Sequence, residues 1–244
     1  MSEFLNQVVI VTGGFQGNGL AIVNNFLKKG AKVYSIDNKY EKKVNIVRNL
    51  TKIKAEINNY QSMKKIINKI GKKEKSISFL INNAGISLKF SGKDIIDYWN
   101  KTISVNLTAP YFLSYLCLPF LKKKKGSSII NITSLNGKIA MSQNPAYNAS
   151  KGGLSALTAC LAFDFSKFSI RVNGVSPGYI KTNMTKKSLK NKKEFKKRVD
   201  RMMMKDYGTT QDVADTVLYL ASQKSKFINA TEIIVDGGLL KKGI

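Results

Sequence analysis

In Val8-Val9-Ile10-Val11-Thr12-Gly13-Gly14-Phe15-Gln16-Gly17-Asn18-Gly19, the four β-branched aliphatic residues Val8–Val11 predict a buried strand, and the glycines after it predict a tight turn. Ile22, Val23, Phe26 and Leu27 then recur at helical spacing, and Gly30 supplies the stop before a second β-branched run, Lys32–Ile36. The unit reads strand, turn, helix, strand. Further strands are predicted at Ile77–Ile81, Ser128–Ile132, Ile170–Val175 and Ile233–Val235, with amphipathic stretches between them. This alternation predicts an α/β fold: a Rossmann-type doubly wound parallel sheet with helices on both faces. The chain shows no internal repeat and no linker rich in Pro, Gly or Ser, so residues 1–244 are read as one domain.

The same turn carries chemistry. Between a first strand and a first helix, glycines let backbone amides approach a pyrophosphate at the helix N-terminus. Gly13, Gln16, Gly17, Asn18 and Gly19 are the candidate contacts. Asp37 closes the second strand 18 residues after Gly19, where a carboxylate accepts the hydroxyls of a ribose. Its charge would repel the extra phosphate of NADP and favours NAD, with Lys39 nearby acting in the opposite sense.

Tyr147 and Lys151 are four apart and share one face of a helix. An ammonium beside a phenol favours the phenolate, which makes a tyrosine usable as a base. Ser134 follows the Ser128–Ile132 strand at the carboxyl edge of the sheet, where open α/β sheets bind ligands, and its hydroxyl would hold a substrate oxygen beside the tyrosine.

Taken together these residues resemble the short-chain dehydrogenase/reductases over essentially the whole chain. The resemblance implies that Thr12, Gly13, Gly17 and Gly19 form the cofactor turn, and that Asn82-Asn83-Ala84-Gly85 stabilises the sheet beside the adenine ribose. It implies a catalytic tetrad of Asn106, Ser134, Tyr147 and Lys151. Tyr147 would exchange the proton with substrate, Ser134 polarise the carbonyl, Lys151 bind the nicotinamide ribose and lower the tyrosine pKa, and Asn106 hold a relay water. Pro177, Gly178, Ile180 and Thr182 fall in the segment that contacts the nicotinamide, Glu56 and Ile57 where the family has Asp-Val against adenine, and Val235-Asp236-Gly237-Gly238 at its last strand and turn. Asn18, Glu56 and Ala230 depart from the family pattern, and the connection from Asp37 to Glu56 is shorter than usual, which leaves the length of its expected helix open. Cys117 and Cys160 fall on helices that often pair subunits and are expected to be packed as apolar residues.

Composition narrows the rest. Hydrophobic content of 43% with 23% charged residues suits a folded body, and the apolar runs are far below a bilayer span. The two cysteines are too few and too separated for a disulfide framework or a metal site, which points to a reducing, cytoplasmic setting. The net charge of +26 invites a nucleic-acid reading, but only four of the 41 basic residues are arginine, the better reader of phosphate and guanine. The expected partners are therefore a small carbonyl or alcohol substrate and further copies of the chain, as a homotetramer or a dimer. Asn136, Asn144, Tyr179 and Lys181 would add polar groups near Ser134 and Tyr147, which favours a sugar or polyol. An NADPH-dependent 3-oxoacyl carrier-protein reductase is the enzymatic alternative, and a non-catalytic dinucleotide sensor or basic scaffold the alternative of another class. The basic stretch 185–205, with Leu189, Phe195, Val199 and Met202 spaced as one apolar face, is read as a lid over the substrate or an exposed helix.

Overall fold

The computed structural model describes residues 3–88, 94–139, 144–185, 189 and 191–242. Strands β1 (Val8–Thr12), β2 (Lys32–Asp37), β3 (Val44–Val47), β4 (Leu50–Lys54), β5 (Phe79–Asn82), β6 (Ser128–Ile132), β7 (Arg171–Pro177) and β8 (Glu232–Val235) form one sheet. Their order is β3-β4-β2-β1-β5-β6-β7-β8, and every pairing is parallel except β3 with β4. All six expected strands are present. The third begins at Phe79 and not at Ile77, because the Ile77 amide donates to the Phe120 carbonyl and not to a neighbouring strand.

Side chains alternate along each strand, so the sheet divides its apolar residues between two cores. Val8 and Ile10 join a core covered by α2 (Tyr60–Glu74), α4 (Ala109–Leu121) and α5 (Pro145–Ser166). Val9 and Val11 join a second core, covered by α1 (Gly17–Lys28) and α7 (Thr210–Ala221). A short α3 (Ile95–Ile103) precedes α4, and α6 (Lys192–Val199) lies in the basic stretch. The continuous helix Ile95–Leu121 is long and apolar enough by composition to cross a membrane. Its Ala109, Leu113, Cys117 and Leu121 are instead buried against the sheet.

The connection from Asp37 to Glu56 departs from expectation. No helix forms there; the chain makes an antiparallel hairpin in which Val47 pairs with Leu50 across a two-residue loop, Arg48-Asn49. The span is too short for a helix with two loops, and Val44, Ile46, Val47 and Ile53 prefer a pleated surface. Tyr40 covers part of the α1 side of β2. It is buried, its hydroxyl lies 2.6 Å from Ser35 Oγ, and its ring meets Phe15 edge-on at 5.6 Å.

Candidate active site

β1 delivers the chain to the carboxyl edge of the sheet, and the turn reverses it into α1. Gly13 (φ 69°) and Gly17 (φ 57°) take left-handed conformations that cost other residues energy. They differ in surroundings. A Cβ on Gly13 would stand 2.7 Å from Ala84 Cα, whereas on Gly17 it would meet nothing closer than Thr182 at 3.8 Å. Asn83 pins the turn from β5: its Nδ2 donates to the carbonyl oxygens of Thr12 (2.9 Å) and Gly13 (3.0 Å). The Thr12 hydroxyl accepts from the amides of Asn83 and Ala84, both at 3.1 Å. The Asn-Asn-Ala-Gly segment thus braces the turn.

Asp37 lies at the end of β2, almost fully buried, with Oδ2 accepting from the Phe15 amide (3.1 Å) and Oδ1 from the Lys39 amide (2.9 Å). Glu56 Oε1 accepts from Asn38 Nδ2 at 3.0 Å, and Ile57 beside it is buried.

Ser134 follows β6 and opens a one-turn 3₁₀ helix, Leu135–Gly137. Its Oγ accepts from the Asn136 amide at 3.2 Å, which leaves the hydroxyl proton for a hydrogen bond with Tyr147. Tyr147 stands on the first turn of α5 and Lys151 one turn on. The Lys151 ammonium is 5.8 Å from the Tyr147 ring centre and donates to the carbonyl oxygen of Ile132 at 2.8 Å. Burial pushes the Tyr147 phenol above its ordinary pKa of 10.0, and the hydrogen bond with Ser134 pulls it partly back. Burial also lowers Lys151 from 10.5 to about 8. In the protein by itself the phenol therefore stays protonated at neutral pH.

Asn106 occupies a π turn, Ser104–Thr108, that joins α3 to α4. Such turns recur where a helix is distorted to aim a side chain. Asn106 is fully buried, exchanges hydrogen bonds with the backbone of Ile86 (2.8 and 2.9 Å), and donates to Ser150 Oγ at 3.0 Å. It stands behind the site and does not line the cleft.

One cleft of about 490 Å³ gathers the expected residues: Gly13, Gln16, Gly17, Asn18, Gly19, Asp37, Glu56, Ile57, Asn83, Ala84, Gly85, Ser134, Tyr147, Lys151, Pro177, Gly178, Ile180 and Thr182. The four further polar candidates, Asn136, Asn144, Tyr179 and Lys181, do not line it. Asn136 is held in the turn after Ser134. Asn144 accepts from the Tyr98 hydroxyl and donates to Ser87 Oγ. Tyr179 packs 5.5 Å from the Tyr207 ring, under the Arg198 guanidinium. Lys181 is ion-paired with Asp206 at 3.0 Å. Within 185–205, residues 186–188 and 190 lie outside the described residues; Leu189, Phe195, Val199 and Met202 pack with Leu135, Tyr207 and Leu239 beside the site. Cys117 is buried, with its thiol pushed up by burial, but Cys160 is exposed and not packed as expected.

Sequence reading missed several lining residues, among them Ile86, Lys101, Val105, Asn183 and Met184. Lys101 and Val105 are four apart on the helix leading to Asn106, a signal available in hindsight. Asn183 and Met184 carried none. Asn183 donates to Gln16 Oε1 at 3.2 Å and so ties the segment after β7 to the glycine turn.

These features fit a dinucleotide: the first amides of α1 have no acceptor within the helix, Gly17 leaves the cleft open above them, and a carboxylate ends β2. Comparison with known proteins agrees. The family model described as enoyl-(acyl carrier protein) reductase matches residues 13–240. The chain belongs to the short-chain dehydrogenase/reductases. Among its relatives in that family, a 3-oxoacyl-[acyl-carrier-protein] reductase of Chlamydia pneumoniae is 35% identical over 95% of this chain and 96% of its own length. An NADP-dependent (R)-specific alcohol dehydrogenase of Lentilactobacillus kefiri is 33% identical over 95% of this chain and 96% of its own. The ligand-free aldohexose dehydrogenase of Thermoplasma acidophilum superposes with a TM-score of 0.91 at 30% identity, covering 99% of this chain and 97% of that one. As a short-chain dehydrogenase/reductase the chain is an NAD(P)-dependent oxidoreductase acting on CH–OH groups, which sets aside the non-catalytic sensor or scaffold.

Proposed function

We propose that the chain moves hydride between NAD(H) and a secondary alcohol or ketone, with a sugar or polyol as its substrate class. The observation that carries this reading is one cleft whose wall runs from the Asp37 carboxylate past the glycine turn to Ser134, Tyr147 and Lys151. The bound nicotinamide supplies hydride acceptance or donation. The chain's own residues handle the proton. The Tyr147 phenolate takes the proton from the alcohol, or the phenol gives its proton to the ketone oxygen, and the Ser134 hydroxyl, which hydrogen-bonds with Tyr147 in the protein alone, turns to donate to that same substrate oxygen. Lys151 supplies the cation beside the phenol and would bind the nicotinamide-side ribose of the cofactor. Asn106 serves as the fourth member, holding a relay water behind Lys151.

Asp37 supports NAD, because a carboxylate there repels a ribose phosphate, and the structural likeness to an aldohexose dehydrogenase supports a sugar. A second reading has observations of its own. The Chlamydia relative is a 3-oxoacyl-[acyl-carrier-protein] reductase, the Lentilactobacillus relative is NADP-dependent, Lys39 lines the cleft, and a net charge of +26 suits an acidic carrier protein. The proposed assembly is a homotetramer, or failing that a dimer, supported by exposed aromatic residues on α4 and α5 (Tyr111, Phe163) and near β8 (Phe227). Two free thiols, one at the surface, support a cytoplasmic setting.

The test is a titration of the protein with NADH and with NADPH, followed by nucleotide fluorescence and thermal shift, on wild type, Asp37→Ala and Tyr147→Phe. NADH should bind more tightly, Asp37→Ala should weaken NADH by about tenfold or more through loss of charged hydrogen bonds, and Tyr147→Phe should bind without turnover. NADPH binding at least as tightly as NADH would sink the NAD assignment and make acyl-carrier ketones the first substrates to assay.

A further inference from the structure

Behind the cleft, one carboxylate joins the two segments that carry Ser134 and Tyr147. Glu232 opens β8, pairs with Gly174 of β7, and has a side chain only 11% exposed. Gly174 makes room for it: a Cβ there would stand 2.6 Å from Glu232 Cγ. The carboxylate thus crosses β7 toward α5, where Oε1 accepts from the Ser155 hydroxyl at 2.7 Å. Ser155 Oγ is also 3.1 Å from the carbonyl oxygen of Lys151, one helical turn back. The other carboxylate oxygen is ion-paired with Lys138, which ends the 3₁₀ turn that Ser134 begins. That turn lies directly on α5, since a Cβ on Gly137 would be 2.8 Å from the Lys151 carbonyl carbon and the Gly152 nitrogen.

A shielded carboxylate is a poor investment for stability alone, because desolvation offsets much of the attraction to its partner. The strand does not require it; β8 is fixed by its backbone pairing to β7 and by Ile233 and Val235 packed on the core. What the carboxylate does provide is a fixed distance between two walls of the site. We propose that Glu232 is a positioning residue that ties the Ser134 turn to helix α5 and thereby sets the spacing of the Ser134 hydroxyl and the Tyr147 phenol. The inference rests on the catalytic reading of Ser134, Tyr147 and Lys151. The groups facing the phenol are the Ser134 hydroxyl and the Lys151 ammonium, and the tie adds Lys138 and Glu232, which neutralise one another. Loosening the tie weakens the Ser134 bond that favours the phenolate, so the phenol holds its proton to higher pH.

The experiment is a tyrosinate-absorbance titration of the protein saturated with NAD⁺, with the Tyr147→Phe protein subtracted so that one phenol is read. Wild type, Glu232→Gln, Lys138→Met and the double variant are compared, each with a melting curve. Glu232→Gln and Lys138→Met should each raise the Tyr147 midpoint by about one pH unit, tenfold in ionisation constant, with little change in melting temperature. The double variant should shift no further than the singles, because both remove one tie. Unmoved midpoints, additive shifts, or shifts that merely track lost melting temperature overturn the proposal. Should Glu232→Gln fail to fold, Lys138→Met, at a side chain 30% exposed, carries the test. A wild-type difference spectrum with no titrating phenol overturns the catalytic reading itself, and the inference with it.

Discussion

Lys151 donates to the carbonyl oxygen of Ile132 across 2.8 Å from a position only 3% exposed, with no carboxylate partner among the described residues. An ammonium so placed is held by one dipole, and burial lowers it from 10.5 to about 8. The protein therefore bears a cost of roughly 3 kcal/mol for keeping it charged. The sign follows from proton binding: between pH 8 and 10.5 the unfolded chain binds the proton and the folded chain does not, so this cost is full below about pH 8 and fades as pH rises. Lys151→Met should raise the melting temperature at pH 7, lose most of that gain by pH 10, and abolish turnover. Melting curves at the two pH values check it; a variant less stable at pH 7 would mean that the Ile132 bond outweighs the desolvation.

Such a conflict between stability and position was visible in the sequence only in part. The spacing of Tyr147 and Lys151 placed them on one helix face, and the glycine turn, Asp37 and Ser134 reached one cleft because each follows a strand at the same edge of the sheet. Periodicity and turn chemistry encode that arrangement locally. Asn144 and Tyr179 neighbour Tyr147 and Gly178 in the chain, but their hydrogen bonds and ring contacts turn them toward Tyr98 and Tyr207. Those partners are distant in sequence, so no local pattern announces them. The hairpin Val44–Lys54 was missed for another reason: the family expectation of a helix overrode a β-branched run whose strand preference was legible.

Gly13 and Gly17 both have positive φ, and they separate fold from ligand binding. Alanine at 13 would drive a Cβ to 2.7 Å from the Ala84 backbone, where nothing can yield cheaply, in addition to the strain of its conformation. Alanine at 17 pays only the conformational strain, about 1–2 kcal/mol, because its neighbours are 3.8 Å away. Gly17→Ala should fold and lose dinucleotide affinity, since its methyl points into the cleft, whereas Gly13→Ala should lose the fold. Circular dichroism melts beside a nucleotide titration decide this, and full NADH affinity in Gly17→Ala would remove the phosphate site from that turn.

Ala230 shows what a family departure costs. It stands where the short-chain dehydrogenase/reductase pattern has glycine, and its φ is 59°, as is natural for the residue it replaces. The site is exposed, so a glycine there relieves strain without opening a cavity. The strain relieved is about 1–2 kcal/mol, offset by about 0.5–1 kcal/mol of added freedom in the unfolded chain. Ala230→Gly should therefore raise stability by about 0.5–1 kcal/mol, read as a higher urea midpoint at unchanged slope. A lower midpoint would mean that the unfolded-state term dominates.

β3 leaves Val44, Ile46 and Val47 at 47%, 60% and 55% exposure on the rim of the sheet, with one edge of its backbone paired to no strand among the described residues. A flat apolar edge of this kind invites pairing with another chain. Lys42, Lys43 and Arg48 flank the strand and oppose the approach of a second, equally basic copy. That protection is electrostatic and exposed, so its range shrinks from about 10 Å in 0.1 M salt to about 3 Å in 1 M salt. Raising sodium chloride should therefore promote association through β3, seen as rising light scattering. Ile46→Lys should suppress the rise while leaving the melting temperature nearly unchanged, because the residue it replaces contributes little to either core. Equal scattering by the two proteins at 1 M salt would assign the association to another surface and leave the lysines around β3 without a protective role.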